Sequence, residues 1–362
     1  MQQPVPENLK ISPFMAAFVV VAMQIGIGVL GYQRLIAKDA GYDAWISVII
    51  GGATIHAIIW MMYKICETVD GDVLTANIYV FGKAIGKSIN TFFILYFTMT
   101  CVTVLAGLIE VLRTWMFLNL NPLLFGSIYL LLGIYIVNGG FRTVVGIAFF
   151  GLAVPAYLLL SFGFAIRYGD FTNLLPILDH TPVQLLKSAY SMTLTFLGFG
   201  ILLFFYPFIK NPGKSKKWVH LGVVTTTFIY AALAVISFAY FPPSLLEKSI
   251  WATLEMWKIV RLPFIERFEY LGLANWALII LPNVVISLWV ASRVAKQTFN
   301  VAQRKVVWLI ALVVLIVVQM LNSREKMNLF FDIQGKVGFV MAYFYTPFLF
   351  ILLLIKQKVK TK

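Results

Sequence analysis

Long unbroken apolar runs, not alternation, set the pattern of this chain. Residues 306–321 read VVWLIALVVLIVVQML, and similar runs recur from end to end. Strands of a membrane barrel would alternate apolar and polar residues. A bilayer-spanning helix needs roughly 20 apolar residues. On that measure ten spans are predicted, at 12–36, 43–65, 90–113, 119–137, 143–166, 184–209, 217–241, 269–294, 303–322 and 335–355. The fourth is the shortest. Residues 73–87 read as an amphipathic helix lying along the surface. The fold class is therefore an all-α polytopic membrane protein, one transmembrane domain over 1–362.

Composition agrees. Of 362 residues, 60% are hydrophobic and 12% charged, against about 45–50% and about 25% in ordinary soluble domains. This excludes a soluble domain, a coiled coil, a disordered chain and a disulfide scaffold. The net charge of +14 would suggest nucleic acid in a soluble protein. Here the basic residues sit between apolar runs, so they report membrane topology, and no nucleic-acid partner is expected. With both termini cytoplasmic, 17 of the 29 basic residues face inside, with only Glu7, Glu67, Asp70 and Asp72 as acids. The first apolar segment is expected to be a retained span, not a signal peptide. Cys66 and Cys101 lie in or beside apolar helices, which predicts neither a disulfide nor a metal site. No cofactor is implied. No nucleotide loop, HExxH motif or Ser/His/Asp constellation points to an enzyme.

Ten spans divide into two halves of five, about 11–166 and 184–355. Because five is odd, the halves run through the membrane in opposite senses. The first span carries Ile25-Gly26-Ile27-Gly28-Val29-Leu30, and the sixth carries Leu197-Gly198-Phe199-Gly200-Ile201-Leu202. Glycine costs about 1 kcal/mol in a helix interior relative to alanine. Two within three residues loosen the backbone ladder and let a ligand approach the chain. Freed N–H groups at a half-helix start can hold a carboxylate, and freed carbonyls a cation. Paired interruptions in corresponding spans of inverted halves point to a transporter-type binding site, although Gly-x-Gly also serves close packing.

The segment 24–30 preceded by Ile11-Ser12-Pro13, the sixth span FLGFGILLFFYPFI (196–209), and Glu266-Arg267-Phe268-Glu269-Tyr270 at the head of the eighth span resemble spore germination receptor B subunits. These are permease-like members of the amino acid–polyamine–organocation superfamily. The resemblance implies helices 1 and 6 broken at the glycines, and a nutrient-sensing subunit of the spore inner membrane. It implies a small germinant, an amino acid or similar, bound centrally. An A subunit, a lipoprotein C subunit and membrane lipid are the other implied partners. An independent amino acid symporter driven by protons or sodium is the alternative. Gly200 stands where the family often has an acid, which removes an amine-binding or proton-coupling carboxylate and favours a non-amino-acid ligand such as a sugar. The fifth span has no lysine to replace a coupling cation. In sodium-coupled relatives, first-span carbonyls and eighth-span hydroxyls form an ion site, and Ser287 is the hydroxyl available here.

The expected ligand-binding residues are Gly26, Ile27, Gly28, Thr100, Thr103, Thr195, Leu197, Gly198, Phe199, Gly200, Asn283 and Ser287. Thr100 and Thr103 share a helix face, as do Asn283 and Ser287 after Pro282, and Phe199 is placed to gate the break. Thr193 is expected to line the same cavity as Thr195, while the hydroxyls of Thr98, Thr100 and Thr103 can equally bond their own helix carbonyls. His56 reads as a lone mid-span histidine one turn from Gly52. Glu110 and Arg113 are spaced to pair. Trp45, Trp60, Trp115, Trp218 and Trp276 are expected as interfacial anchors. The loop 242–268, with Trp251 and Trp257, predicts a short helix that serves as a lid or a partner surface. The basic patch at 210–217 (KNPGKSKK) is a topology determinant that could also contact anionic lipid or the A subunit.

Overall fold

The computed structural model describes residues 5–360. Lys362, counted above among the inside basic residues, lies outside them. Seventeen α-helices follow one another: α1 Met15–Gln24, α2 Tyr32–Ala40, α3 Ala44–Val69, α4 Val73–Trp115, α5 Pro122–Asn138, α6 Phe141–Ala153, α7 Leu158–Ser161, α8 Gly163–Tyr168, α9 Pro182–Phe196, α10 Leu202–Phe205, α11 Pro212–Tyr240, α12 Pro243–Leu246, α13 Ala252–Trp257, α14 Phe268–Phe299, α15 Gln303–Met320, α16 Arg324–Val340 and α17 Thr346–Lys360. Among the described residues the only β pairings are the isolated bridges Ile11–Ile209 and Leu262–Ile265.

Among the described residues, seven helical stretches are long and apolar enough to cross a membrane. The bent pair Pro182–Phe196 with Phe199–Phe208, 50° apart, makes an eighth. α1 and α5 are shorter apolar helices. The ten predicted segments all fall on these elements, and α5 covers the shortest one.

Local chemistry sets many of the ends. Asn121 caps α5 by accepting from the amides of Leu123 and Leu124 at 2.9 and 3.2 Å. Thr181 and Gln184 form a capping box at the start of α9, satisfying two amides that a helix start leaves unpaired. α4 opens on Asp72, whose carboxylate accepts from the Thr75 amide at 3.1 Å.

One segment departs from its prediction. The surface helix expected at 73–87 stops at Gly82 (φ 80°, ψ 175°). Residues 83–87 already belong to the spanning arm of α4, so the third span starts earlier than 90. The two arms fold against each other through Asn77 Nδ2, which donates to Asn90 Oδ1 at 2.9 Å. Glycine permits that turn because a positive φ carries no Cβ penalty there.

The core is built around α14, which packs most extensively on α4 and also on α6, α15 and α5. Residues 280–291 of α14 are buried on every side, the pattern of a helix wholly enclosed by others. α3 packs on both α9 and α11, with α2 on α9 and α1 on α11. Trp276 lies in this core at 1% exposure. That corrects its expected place in the interfacial belt, because α14 turns that face inward. Trp60, half exposed, fits the belt.

The predicted short helix in the loop 242–268 is α13. It docks on the first span: the Thr253 hydroxyl donates to the Val29 carbonyl at 2.8 Å and accepts from Gln33 at 2.8 Å.

Candidate functional site between the two helix breaks

The helical ladder fails where the glycines predict. After α1, Ile25 (φ −90°, ψ 83°) and Gly26 (φ −113°, ψ −147°) leave helical space, and a 3₁₀ turn spans Ile27–Leu30 before α2. After α9, Leu197 is extended and Gly198 takes φ 123°, followed by a 3₁₀ turn at Phe199–Ile201. The backbone at Gly198 is one that L side chains rarely adopt. A Cβ there would also lie 2.3 Å from the Met23 carbonyl oxygen. A Cβ on Gly28 would lie 2.6 Å from Cγ2 of Thr195. The two breaks therefore touch. A Cβ on Gly26 or Gly200 would make only ordinary van der Waals contact, with Asn283 Oδ1 at 3.5 Å and Met62 Cε at 3.9 Å.

The carbonyls released by the breaks are partly taken up by side chains. Asn283 Nδ2 donates to Ile25 at 3.4 Å and to Ile279 at 3.3 Å. The Tyr230 hydroxyl donates to Gln24 at 3.0 Å, and Gln24 Nε2 donates to Phe196 at 3.5 Å. These bonds keep irregular backbone tolerable at depth, where an unsatisfied group is costly.

A cavity of about 950 Å³ lies against both breaks. Gly26, Ile27, Gly28, Thr100, Thr103, Thr195, Leu197, Gly198, Phe199, Gly200 and Asn283 line it. Ser287 does not. It is fully buried, and its hydroxyl has no partner among the described residues. The i, i+4 spacing keeps it on the face of Asn283, but one turn along α14, about 5.4 Å, carries it past the cavity.

Polar groups at the breaks are neutral. Thr100 donates to the Tyr96 carbonyl at 2.9 Å and accepts from Gln334 Nε2 at 2.6 Å. The Thr103 hydroxyl is buried without a partner among the described residues. The charged lining residues, Arg34, Lys38, Asp39, Arg324 and Asp332, sit on α2 and on the first half of α16. They rim the end of the cavity away from the amino terminus. Arg324 pairs with Glu110 at 2.9 Å, and Lys336 with Asp332 at 2.7 Å.

The other end is closed. Phe204 packs against Phe93 at 5.0 Å and Phe97 at 4.9 Å between ring centroids. Below that floor the amide of Ile11 donates to Phe208 at 2.8 Å, and the amide of Lys210 to Ile11 at 2.9 Å. Arg293 faces Asp72 at 3.7 Å and lies over the Phe208 ring at 4.3 Å.

Several expectations change. Glu110 pairs with Arg324, not with Arg113, because α16 brings a guanidinium closer than the helix's own next turn. His56 is not alone: its Nδ1 lies 2.7 Å from that of His220, the rings nearly parallel. Gly52 serves close packing, since a Cβ there would lie 2.2 Å from the Thr227 hydroxyl. Phe199 is fully buried and meets Tyr343 edge-on at 6.4 Å. Thr193 does not line the cavity, and its hydroxyl, like that of Thr98, donates to a carbonyl of its own helix at 2.7 Å. Gln334, Tyr96 and Tyr345 line the cavity and were not anticipated. Gln334 lies within an expected surface-to-span boundary, where composition gives no signal.

Comparison with known proteins follows the same lines. Residues 10–327 match the family described as spore germination protein. The chain is 39% identical to spore germination protein GerQB of Bacillus cereus over 356 residues, 98% of this chain and 99% of that one. It is 23% identical to spore germination protein A2 of Bacillus subtilis (strain 168), covering 98% of both. Among solved structures, a Na+-coupled sialic acid symporter in a substrate-bound outward-open state aligns with TM-score 0.65 at 14% identity, over 92% of this chain and 78% of that one. MhsT in complex with L-phenylalanine aligns with TM-score 0.58 at 14% identity, over 98% and 99%. At that identity the structures establish the fold: a polytopic α-helical transporter architecture.

Proposed function

The chain belongs to the spore germination protein family, and on that premise we propose that it is the germinant-sensing membrane subunit of a germination receptor. A small solute binds between the two broken helices, in contact with Gly26–Gly28 and Leu197–Gly200, and with Thr100, Thr103, Thr195 and Asn283. The observation that carries this reading is the 950 Å³ cavity against both breaks. Binding biases the membrane fold toward one of two states, which requires different affinities for the two. An A subunit and a lipoprotein C subunit read the state. The protein sits in the spore inner membrane with both termini cytoplasmic, as the excess of basic residues on that side supports.

The chemistry at the breaks favours a solute that is polar and carries no net charge. Its partners there are hydroxyls, amides and backbone dipoles, and the charged lining residues stand at the rim. A sugar or another hydroxylated solute fits that donor set. An independent symporter is the second reading, favoured by the likeness of the fold to solute symporters. Uptake of labelled solute by vesicles holding this protein alone would support the symporter.

The test uses Gly26, which lines the cavity and where an added Cβ makes only ordinary van der Waals contact with Asn283 at 3.5 Å. Gly26→Trp is expected to accumulate in spores at normal levels and to abolish the response to germinant. A normal response in that variant would overturn the central site.

A further inference from the structure

A second hollow lies on the other side of the first span. It is a groove of about 390 Å³ between α1, α11 and the broken end of α6, and its lining is almost wholly apolar. Ala17 and Val21 form one wall, and Leu152 and Ala156 the other. Its deep end reaches Val29 and Leu30 at the helix break. The mouth is open along the outside of the bundle: Ala153, Ala156, Leu159 and Leu221 are exposed. In a membrane protein that outside is hydrocarbon.

At the amino-terminal end the groove runs into a recess of opposite character. The recess is lined by Ser12, Gly213, Lys214, Lys216 and Lys217, and it shares Phe14 and Trp218 with the groove. Phe14 and Trp218 meet edge-to-face at 5.0 Å, and Lys217 Nζ lies 5.1 Å from the Trp218 ring. Lys216 is held by Glu67 at 2.5 Å. Lys214 and Lys217 have no acidic partner among the described residues, and both are exposed.

We propose that this composite hollow binds one anionic phospholipid, its headgroup at Ser12, Lys214 and Lys217 and one acyl chain in the groove behind α1. Three observations fix the occupant. The apolar part opens to hydrocarbon, so a chain reaches it without crossing water. The polar part is basic and lies at the membrane boundary, where lysines attract anionic headgroups. The depth also matches. α1 has ten residues and so runs about 15 Å, half of a hydrocarbon core about 30 Å thick, which is one leaflet. A chain seated there packs along the half-helix that ends at the binding site. Occupancy therefore stabilises the α1 position seen here, by mass action.

Native mass spectrometry of the purified protein with phosphatidylglycerol or phosphatidylcholine tests this. Wild type is expected to retain phosphatidylglycerol preferentially. Lys214→Ala with Lys217→Ala should cut that preference about fivefold for each lysine. Ala156→Phe, which fills the groove from an exposed position, should lower retention of both lipids while sparing the preference. Ala153→Phe replaces it if the first does not purify. Lys83→Ala with Lys87→Ala, exposed basic residues elsewhere, should change neither. The proposal fails if the first pair keeps the preference, if filling the groove leaves retention intact, or if the control pair loses as much. A protein segment as the true occupant would give that first result.

Discussion

Gly28 and Thr195 hold the two helix breaks against each other. A Cβ on the glycine would lie 2.6 Å from the threonine methyl and 3.4 Å from its hydroxyl oxygen. The contact joins the two halves of the chain at the level of the cavity, so the shape of the site depends on a residue from each half.

Gly28→Ala should therefore weaken the germinant response and lower the melting temperature of the purified protein. Thr195→Ser removes the methyl and keeps the hydroxyl, so the double variant should recover much of both losses. Residues in contact couple by about 0.5–3 kcal/mol, and a double-mutant cycle on thermal stability reads that value. Additive effects would mean that the breaks do not bear on each other.

The two glycines of corresponding register should respond differently. Gly198 combines φ 123° with a carbonyl oxygen at 2.3 Å from a would-be Cβ. Gly198→Ala is expected to cost at least about 1–3 kcal/mol of stability through backbone strain. Gly26→Ala meets only Asn283 at 3.5 Å and should leave stability nearly unchanged. Thermal unfolding in detergent compares them directly, and equal losses would contradict the geometry.

At the rim, Glu110 and Arg324 form a pair at 2.9 Å, with the glutamate the less exposed partner. Removing only the arginine strands a half-buried carboxylate, which costs more than losing the pair. Arg324→Gln should thus destabilise more than Arg324→Gln combined with Glu110→Gln. Melting temperatures of the three proteins decide this.

Asp170 accepts from the hydroxyl and the amide of Thr172, at 2.6 and 2.9 Å. These bonds hold its carboxylate below the usual range, the hydroxyl bond most of all. A lowered folded pKa means that its contribution is present above the unfolded value and lost as pH falls through the folded one. Amide exchange over 170–175, corrected for intrinsic rate, should show protection fading below about pH 4. Asp170→Asn should remove that pH dependence.

Much of this architecture is legible in the chain because its signals are local. Twenty-residue apolar runs give the spans whatever surrounds them, since the bilayer alone demands that length. The twin Gly-x-Gly motifs mark the breaks because the missing Cβ acts on its own backbone. The caps at Asn121 and Thr181 obey the same local logic. Partnerships were not legible. Sequence spacing put Arg113 beside Glu110, but a helix more than two hundred residues away supplies Arg324. His56 found His220 across two helices, and Gln334 reached Thr100 from α16.

The sequence by itself determined a polytopic helical bundle with two interrupted spans, because those features follow from hydrophobic length and glycine backbone freedom. Only the tertiary structure decided that the interruptions meet, that a cavity lies against them, that Ser287 falls beyond it and Trp276 is buried. Those outcomes depend on how helices distant in the chain pack face to face, and periodicity along one helix does not encode the neighbour it will meet.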